Sequence, residues 1–373
     1  MAETEVTHGI LKRIDRQQFA VRTAERSYQP RHPEVLVLPE LARRYPLVQG
    51  ASVAGQVEPR KGKPKLVSIE SLGGIDAEAF AKRPRYSDLV AIDPHERFDL
   101  GAGGHESMRI IDLIAPIGKG SRQLIVSPPK AGKTVMLEQM VQAVRNCSPK
   151  TRVIVLLLDE RPEEVTGFRR ATEGAEIVAS TSDHTADEHV ALAELILTHV
   201  QIELECGHEV VLLIDSLTRM GRAFNNRTRR SGGARPTMSG GLEAGILEVP
   251  RRIFGLARRA EEGGSVTIVA TCLVDTGSRM DQLIFEEFKG TGNSELVLDR
   301  SLAEARIWPA INLPASGTRK EAKLYNPEDS QGLITLRRVL SSYEPRGAME
   351  ALHKLLHKYP TNEEFLAAMS RGQ

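Results

Sequence analysis

Lys133 and Thr134 close the run Ser127-Pro128-Pro129-Lys130-Ala131-Gly132-Lys133-Thr134, which lies between an apolar stretch and a segment patterned as a helix. A turn in that position aims backbone N–H groups and a helix N-terminus at an anion. Gly132 lets the backbone approach closely. The Lys133 ammonium would reach β/γ-phosphates, and the Thr134 hydroxyl could ligate Mg²⁺. Ser127 stands where such loops usually begin with glycine, and a Gly-Lys-Thr triplet alone is an ordinary turn. Its setting, strand before and helix after, makes it a phosphate-site candidate. Two further apolar runs end in acids: Val153–Leu158 leads into Asp159-Glu160, and Val210–Ile214 into Asp215. Asp215 is placed as a second Mg²⁺ anchor, and Glu160 as a group to orient and deprotonate a water molecule. Strand-end acids also serve as helix caps. Taken together, the three strand ends predict a nucleotide hydrolase.

These residues need a scaffold that brings strand ends together. Gln123–Val126, Val153–Leu158, Val210–Ile214 and Val266–Thr271 are short and continuously apolar, as in parallel strands buried on both faces. The fold class is therefore α/β. Ahead of this core, residues 1–75 hold short apolar runs separated by turn-forming or charged clusters, which predicts a small β-barrel of the OB or cold-shock kind. Residues 76–108, with Pro84, Pro94 and the cluster Gly101, Gly103 and Gly104, read as a connector. The segment from Ala348 to Met369 reads as a helix with Leu352, Leu355, Leu356, Phe365 and Met369 on its apolar face.

The formal net charge is +1 and the aromatic content 4%. Read globally, both weigh against a nucleic-acid partner. Local sequence says otherwise. Arg219–Pro236 contains Arg219, Arg222, Arg227, Arg229, Arg230 and Arg235 without an acid, and leads into Thr237-Met238-Ser239-Gly240-Gly241. Arginines without interleaved aromatics contact phosphate backbone, not bases. A second loop, Asp275–Asp281, carries Arg279 and precedes Lys289-Gly290. Arg60, Lys61, Lys63 and Lys65 cluster in the barrel segment. No apolar run is long enough for a membrane span and no secretory leader is visible, and three scattered cysteines suit a reducing cytoplasm.

The segments SPPKAGKT, LLLDERPEEVTGFRR, IVASTSD, LLIDSLTRMGRAFN, VDTGSRMDQLIFEEFKGTGNSEL and INLPASGTRKE closely resemble the Rho family of bacterial transcription termination factors. The likeness runs from about residue 8 to the C-terminus. It implies an OB/cold-shock-like barrel (1–75), the connector (76–108) and a RecA-like P-loop ATPase core with C-terminal helices (109–373). It further implies a cytoplasmic homohexameric ring that hydrolyses ATP with Mg²⁺. Such a ring translocates 5′ to 3′ on the nascent single-stranded transcript, unwinds RNA/DNA hybrids and dissociates RNA polymerase elongation complexes.

By the same resemblance, Lys130 through Val135 (with Ala131, Gly132, Lys133 and Thr134) bind nucleotide phosphates, and Glu160 is catalytic. Arg161 and Arg219 contact nucleotide, Asp215 is the metal-side acid, and Arg319 is the finger offered to the next subunit's ATP. Arg306 belongs to that interface, and Gly118, Lys119, Gly120, Ser121, Arg122 and Gln123 to a segment near nucleotide. Trp308 falls where the family has Phe against adenine. Arg235, Thr237, Met238, Ser239, Gly240 and Gly241 correspond to one RNA loop of the pore, and Arg279 and Lys289 to the other.

The chain departs from the family in its barrel. Where the family stacks RNA bases on a GFGFLR-type motif, this chain has Gln17-Gln18-Phe19-Ala20-Val21-Arg22. Gln18, Ala20 and Leu36 replace aromatics, Phe19 is expected in the core, and only Arg22 and Glu34 persist. The expectation is a degenerate primary RNA site on an intact motor. A specialised paralogue needing a recruiting partner, or a non-catalytic regulatory subunit, are the alternatives.

Overall fold

The structure is a computed structural model that describes residues 5–371 except 17, 31, 60–62, 231–240 and 244. Six strands come first: β1 (Glu5–Asp15), β2 (Gln18–Arg22), β3 (Val35–Val37), β4 (Ser52–Glu58), β5 (Lys65–Leu66) and β6 (Ser71–Leu72). They pair in the order β1-β2-β3-β5-β4, and β4 returns to β1, so five strands close a barrel while β6 hangs on β4. That is the OB arrangement, with closure removing the sheet edges. Alternation along β2 sends Phe19 and Val21 into a core with Leu11, Val53, Val57 and Leu66.

Beyond it lies a second sheet. Its strands are β7 (Ala91–Ile92), β8 (Arg122–Ser127), β9 (Arg152–Glu160), β10 (Glu176–Thr181), β11 (Glu209–Asp215), β12 (Arg258–Ala260), β13 (Ser265–Leu273), β14 (Ser294–Val297) and β15 (Gly317–Thr318). The order is β10-β9-β11-β13-β8-β14-β15, parallel from β10 to β14. Successive residues alternate between two cores. Val153, Val155 and Leu157 face the helices Glu106–Ile114 and Lys133–Cys147, while Ile154, Leu156 and Leu158 face Ala186–Glu205 and Leu217–Arg230. Burial on both faces is why these strands read as unbroken apolar runs.

Two elements differ from the sequence reading. The latter part of the connector joins the α/β domain: Phe98 and Leu100 are buried in its core, and β7 pairs with β12. The single C-terminal helix is two, Pro345–Leu356 and Asn362–Ser370. Pro360 cannot continue a helix, and Thr361 caps the second by accepting from the Glu364 N–H. Among the described residues no helix is long and apolar enough to cross a membrane.

The barrel is fastened to the α/β domain by a partly buried polar network. The Tyr28 hydroxyl donates to Glu176, and Arg152 bridges Glu176 at 2.6 Å and Glu203 at 3.1 Å. The Ser52 hydroxyl donates to Glu203 at 2.7 Å, and His208 meets the same carboxylate at 2.8 Å.

Candidate active site

The carboxyl ends of β8, β9 and β11 converge on one crevice, where open α/β sheets bind ligands. After Ser127 the chain turns through Lys130 and Gly132, both in the left-handed region at φ 65° and 84°. The helix Lys133–Cys147 starts immediately. A Cβ at Gly132 would come within 2.6 Å of the Trp308 ring, so glycine is required by space as well as conformation. Lys133 Nζ pairs with Asp215 Oδ1 at 2.5 Å and lies 4.0 Å from Glu160 Oε1. The Thr271 hydroxyl donates to the same Asp215 oxygen at 2.8 Å. Thr134 is half-buried at the helix start.

Glu160 ends β9 and is buried. Burial and the neighbouring Asp215 push its carboxyl up to about 7, against the pull of Arg219 and Lys133. Arg219, near the start of the helix Leu217–Arg230, brings Nε to 3.1 Å of Glu160 Oε1 and donates from Nη2 to Oε2 at 3.2 Å. Its Nη1 donates to the Asp159 carbonyl. A carboxyl poised near neutrality and held by a fixed guanidinium has the properties of a general base.

Three neighbours escaped the sequence reading. Thr271 orients Asp215, and Asp159, at φ 55°, presents its carbonyl to Arg219. His189 is buried with Nδ1 2.8 Å from the Ser180 hydroxyl and Nε2 3.8 Å from Asp159 Oδ1, and burial holds its pKa low. Thr271 ends an apolar run, which was a usable signal. Only the strand order puts that run between β8 and β11.

Of the remaining nucleotide candidates, Lys130, Val135 and Arg161 are exposed around the crevice and Ala131 is buried beneath it. Trp308 is 43% exposed against Gly132, so it is a surface platform and not a core residue. Arg306, exposed at φ 61°, lies two residues before it.

The segment Gly118, Lys119, Gly120, Ser121, Arg122 and Gln123 does not join this crevice. It enters β8 at the amino end, about 16 Å along the strand from Ser127 at ~3.3 Å per residue. Its polar groups are committed locally. Lys119 pairs with Glu96 and Glu209, the Gly120 N–H donates to Thr267, and Arg122 donates to the carbonyls of Thr291 and Ala257. Gln123 is buried and donates to the Ala115 carbonyl and the Ser294 hydroxyl. Arg319, exposed after β15, shares a pocket with Ser121 and Arg122 at this opposite end. Within one chain neither group reaches the Lys133 crevice.

Among the RNA candidates, Arg235, Thr237, Met238, Ser239 and Gly240 lie outside the described residues. Gly241 is exposed at φ 81°, and its carbonyl accepts from Asn225 at 3.1 Å. A Cβ on it would touch Met280, so the end of the first loop adjoins the second. Arg279 and Lys289 are exposed at the two ends of the helix Arg279–Phe288. In the barrel Gln18 is exposed, Leu36 half-buried and Ala20 fully buried, while Phe19 is in the core as expected. Arg22 and Glu34 pair with each other at 3.0 Å.

Residues 107–318 match the ATP synthase alpha/beta family, nucleotide-binding domain. The chain is 44% identical to transcription termination factor Rho of Aquifex aeolicus over 97% of its own length and 84% of the relative's. It is 42% identical to that of Cereibacter sphaeroides over 97% and 86%. Against that of Micrococcus luteus the figures are 43%, 99% and 56%, so the chain spans about half of that longer relative. Among solved structures, an ATPase from the type III secretion system of pathogenic bacteria superposes with a TM-score of 0.65 at 22% identity, covering 85% of this chain and 93% of that one, which speaks for the fold alone. The crevice at the strand ends, the barrel ahead of it and these relatives agree: the chain belongs to the transcription termination factor Rho family.

Proposed function

We propose that the chain is an RNA-dependent ATPase that assembles into a homohexameric ring, translocates 5′ to 3′ along nascent RNA and terminates transcription by displacing RNA polymerase. The observation that carries this reading is a site complete except for one component. Lys133, Asp215 and Glu160 meet at one end of the sheet, while Arg319 stands exposed at the other. A ring that sets the Arg319 end of one subunit against the crevice of the next completes it.

In this reading Lys133 exchanges its carboxylate partner for β/γ-phosphate oxygens, and Trp308 stacks on adenine. Glu160 takes a proton from the attacking water, and Arg319 of the adjoining subunit stabilises charge developing on the γ-phosphate. The donor set suits Mg²⁺: Thr134 and Asp215 offer hard oxygens, and among the described residues both hydrogen bonds to Asp215 fall on Oδ1, leaving Oδ2 its lone pairs. When bound, Mg²⁺ neutralises phosphate charge. Arg279, Lys289 and the Thr237–Gly241 loop hold the RNA backbone.

The barrel favours a second reading of recruitment. Gln18 offers no ring, and the fully buried Ala20 leaves no open platform. Loss of two stacked bases removes roughly 2–6 kcal/mol of capture energy. We infer that capture here depends less on pyrimidine stacking, and that a recruiting partner takes over part of it. ATP hydrolysis with and without poly(C), poly(U) and mixed-sequence RNA tests both statements. RNA stimulation without a poly(C) preference is expected, and Lys133→Ala should lower turnover at least 100-fold. Strong poly(C) stimulation would remove the degenerate-barrel reading, and no hydrolysis with any RNA would leave a regulatory subunit.

A further inference from the structure

An arginine-lined groove between barrel, connector and motor has no role in the chemistry above. Arg83, Arg85, Arg252 and Arg258 line it with Tyr86 and a single carboxylate, Glu205. That carboxylate is committed: it accepts from Arg83 at 3.0 Å and from the Tyr86 N–H at 3.1 Å. The Arg258 guanidinium lies 3.9 Å from the centre of the Tyr86 ring, and its buried Nε has no hydrogen-bond partner among the described residues. Arg85 and Arg252 are exposed and, among the described residues, have no carboxylate partner. Grouping unneutralised guanidiniums is unfavourable unless an anion is recruited.

The groove's place in the chain says which anion. Pro46 and Val48 of the barrel line one part of it, and Arg252 and Gly255, on the helix Glu248–Gly255, line another. That helix begins seven residues after Gly241, the last residue of the candidate pore segment. The groove therefore runs from the barrel to the helix that comes after the candidate pore segment in the chain. Arg258 covers the Tyr86 ring, leaving guanidiniums and no free platform for a base, which is the composition of a phosphate contact.

We propose that this groove holds the phosphate backbone of single-stranded RNA on its way from the barrel to the pore loops, without regard to sequence. The proposal rests on the reading of the chain as an RNA-binding motor. Its test is the double variant Arg85→Gln/Arg252→Gln in the full chain, with labelled oligo(U) binding followed by fluorescence anisotropy over a salt series. A long oligomer spans barrel and pore, and a short one occupies the pore alone. With about 0.7 counterions released per phosphate contact on single strands, two lost contacts make the log–log salt slope shallower by about 1.4. That is about 25-fold weaker binding of the long RNA at one-tenth of the salt concentration at which variant and parent converge.

Short-RNA affinity and ATP hydrolysis saturated with short RNA should stay unchanged, and Arg85→Lys/Arg252→Lys should restore the slope, because phosphate tracking needs charge and not the planar fork. The proposal is overturned by an unchanged slope with long RNA, by an equal loss with short RNA, or by lysines that fail to rescue. Loss of ring assembly in sedimentation would also overturn it, reassigning the arginines to a contact between subunits. If the parent chain binds no RNA at all, the motor reading falls as well; if only the variant fails to differ, the groove alone does.

Discussion

The pH dependence of ATP hydrolysis gives the sharpest handle on Glu160. Its carboxyl is held at about 7 by burial and by Asp215, with Arg219 and Lys133 opposing. A general base must be deprotonated, so kcat/KM for ATP, which reports groups of the free enzyme, should fall with unit slope below about pH 7. The perturbation is Arg219→Gln, which removes the guanidinium 3.1 Å from Oε1. Even at the dielectric of bulk water a unit charge at that distance contributes about 1.3 kcal/mol, or ~1 pKa unit, and in the partly excluded crevice it contributes more. The variant's acid limb should therefore move to about pH 8 or higher, whatever happens to the absolute rate. Glu160→Gln should abolish the limb and lower turnover by roughly 10²–10⁴-fold. A limb in Arg219→Gln at the same pH, or lower, would refute the assignment of Glu160 as the titrating base.

Two further expectations follow from packing. Trp308→Ala should raise KM for ATP about 5- to 150-fold, the equivalent of ~1–3 kcal/mol of base stacking, with kcat little changed. A KM within twofold of the parent would deny Trp308 that role. At the boundary between barrel and α/β domain, burial raises the Glu203 carboxyl, but His208, His199, Arg152 and Ser52 prevail and hold it at about 2. A depressed carboxylate stabilises the fold above its unfolded pKa and loses that contribution as pH falls through the folded value. Glu203→Gln should therefore cost about 3 kcal/mol in urea denaturation at pH 7, the difference fading between pH 4.5 and 2. A cost below about 0.5 kcal/mol at pH 7 would mean the network does not fasten the barrel.

The sequence was most legible where one short segment carries its own physics. The loop from Ser127 to Thr134 announces itself because strand, turn and helix N-terminus are contiguous. The central strands were legible because burial on both faces leaves an unbroken apolar run. Legibility failed where partners are distant along the chain. Nothing local relates Arg219 to the Asp159 carbonyl, Thr271 to Asp215, or Ser52 to Glu203. β10 was missed because Ile177-Val178-Ala179 is too short an apolar run to stand out. The tail was read as one helix because its apolar spacing persists across Pro360, although proline removes the amide that continuity needs.

Residue types and spacing by themselves determined the candidate phosphate loop, the strand-end acids, the likeness to the Rho family and the absence of rings at Gln18 and Ala20. Only the tertiary structure decided which end of the sheet each group occupies. Gly118–Gln123 and Ser127–Thr134 are neighbours in sequence, but the extended strand β8 holds them at opposite ends. Arg319 is remote in sequence and joins the first group through the pairing of β14 with β15. Covalent spacing fixes what one segment can do. The order and direction of strands, set by long-range packing, fix which segments can act on the same phosphate.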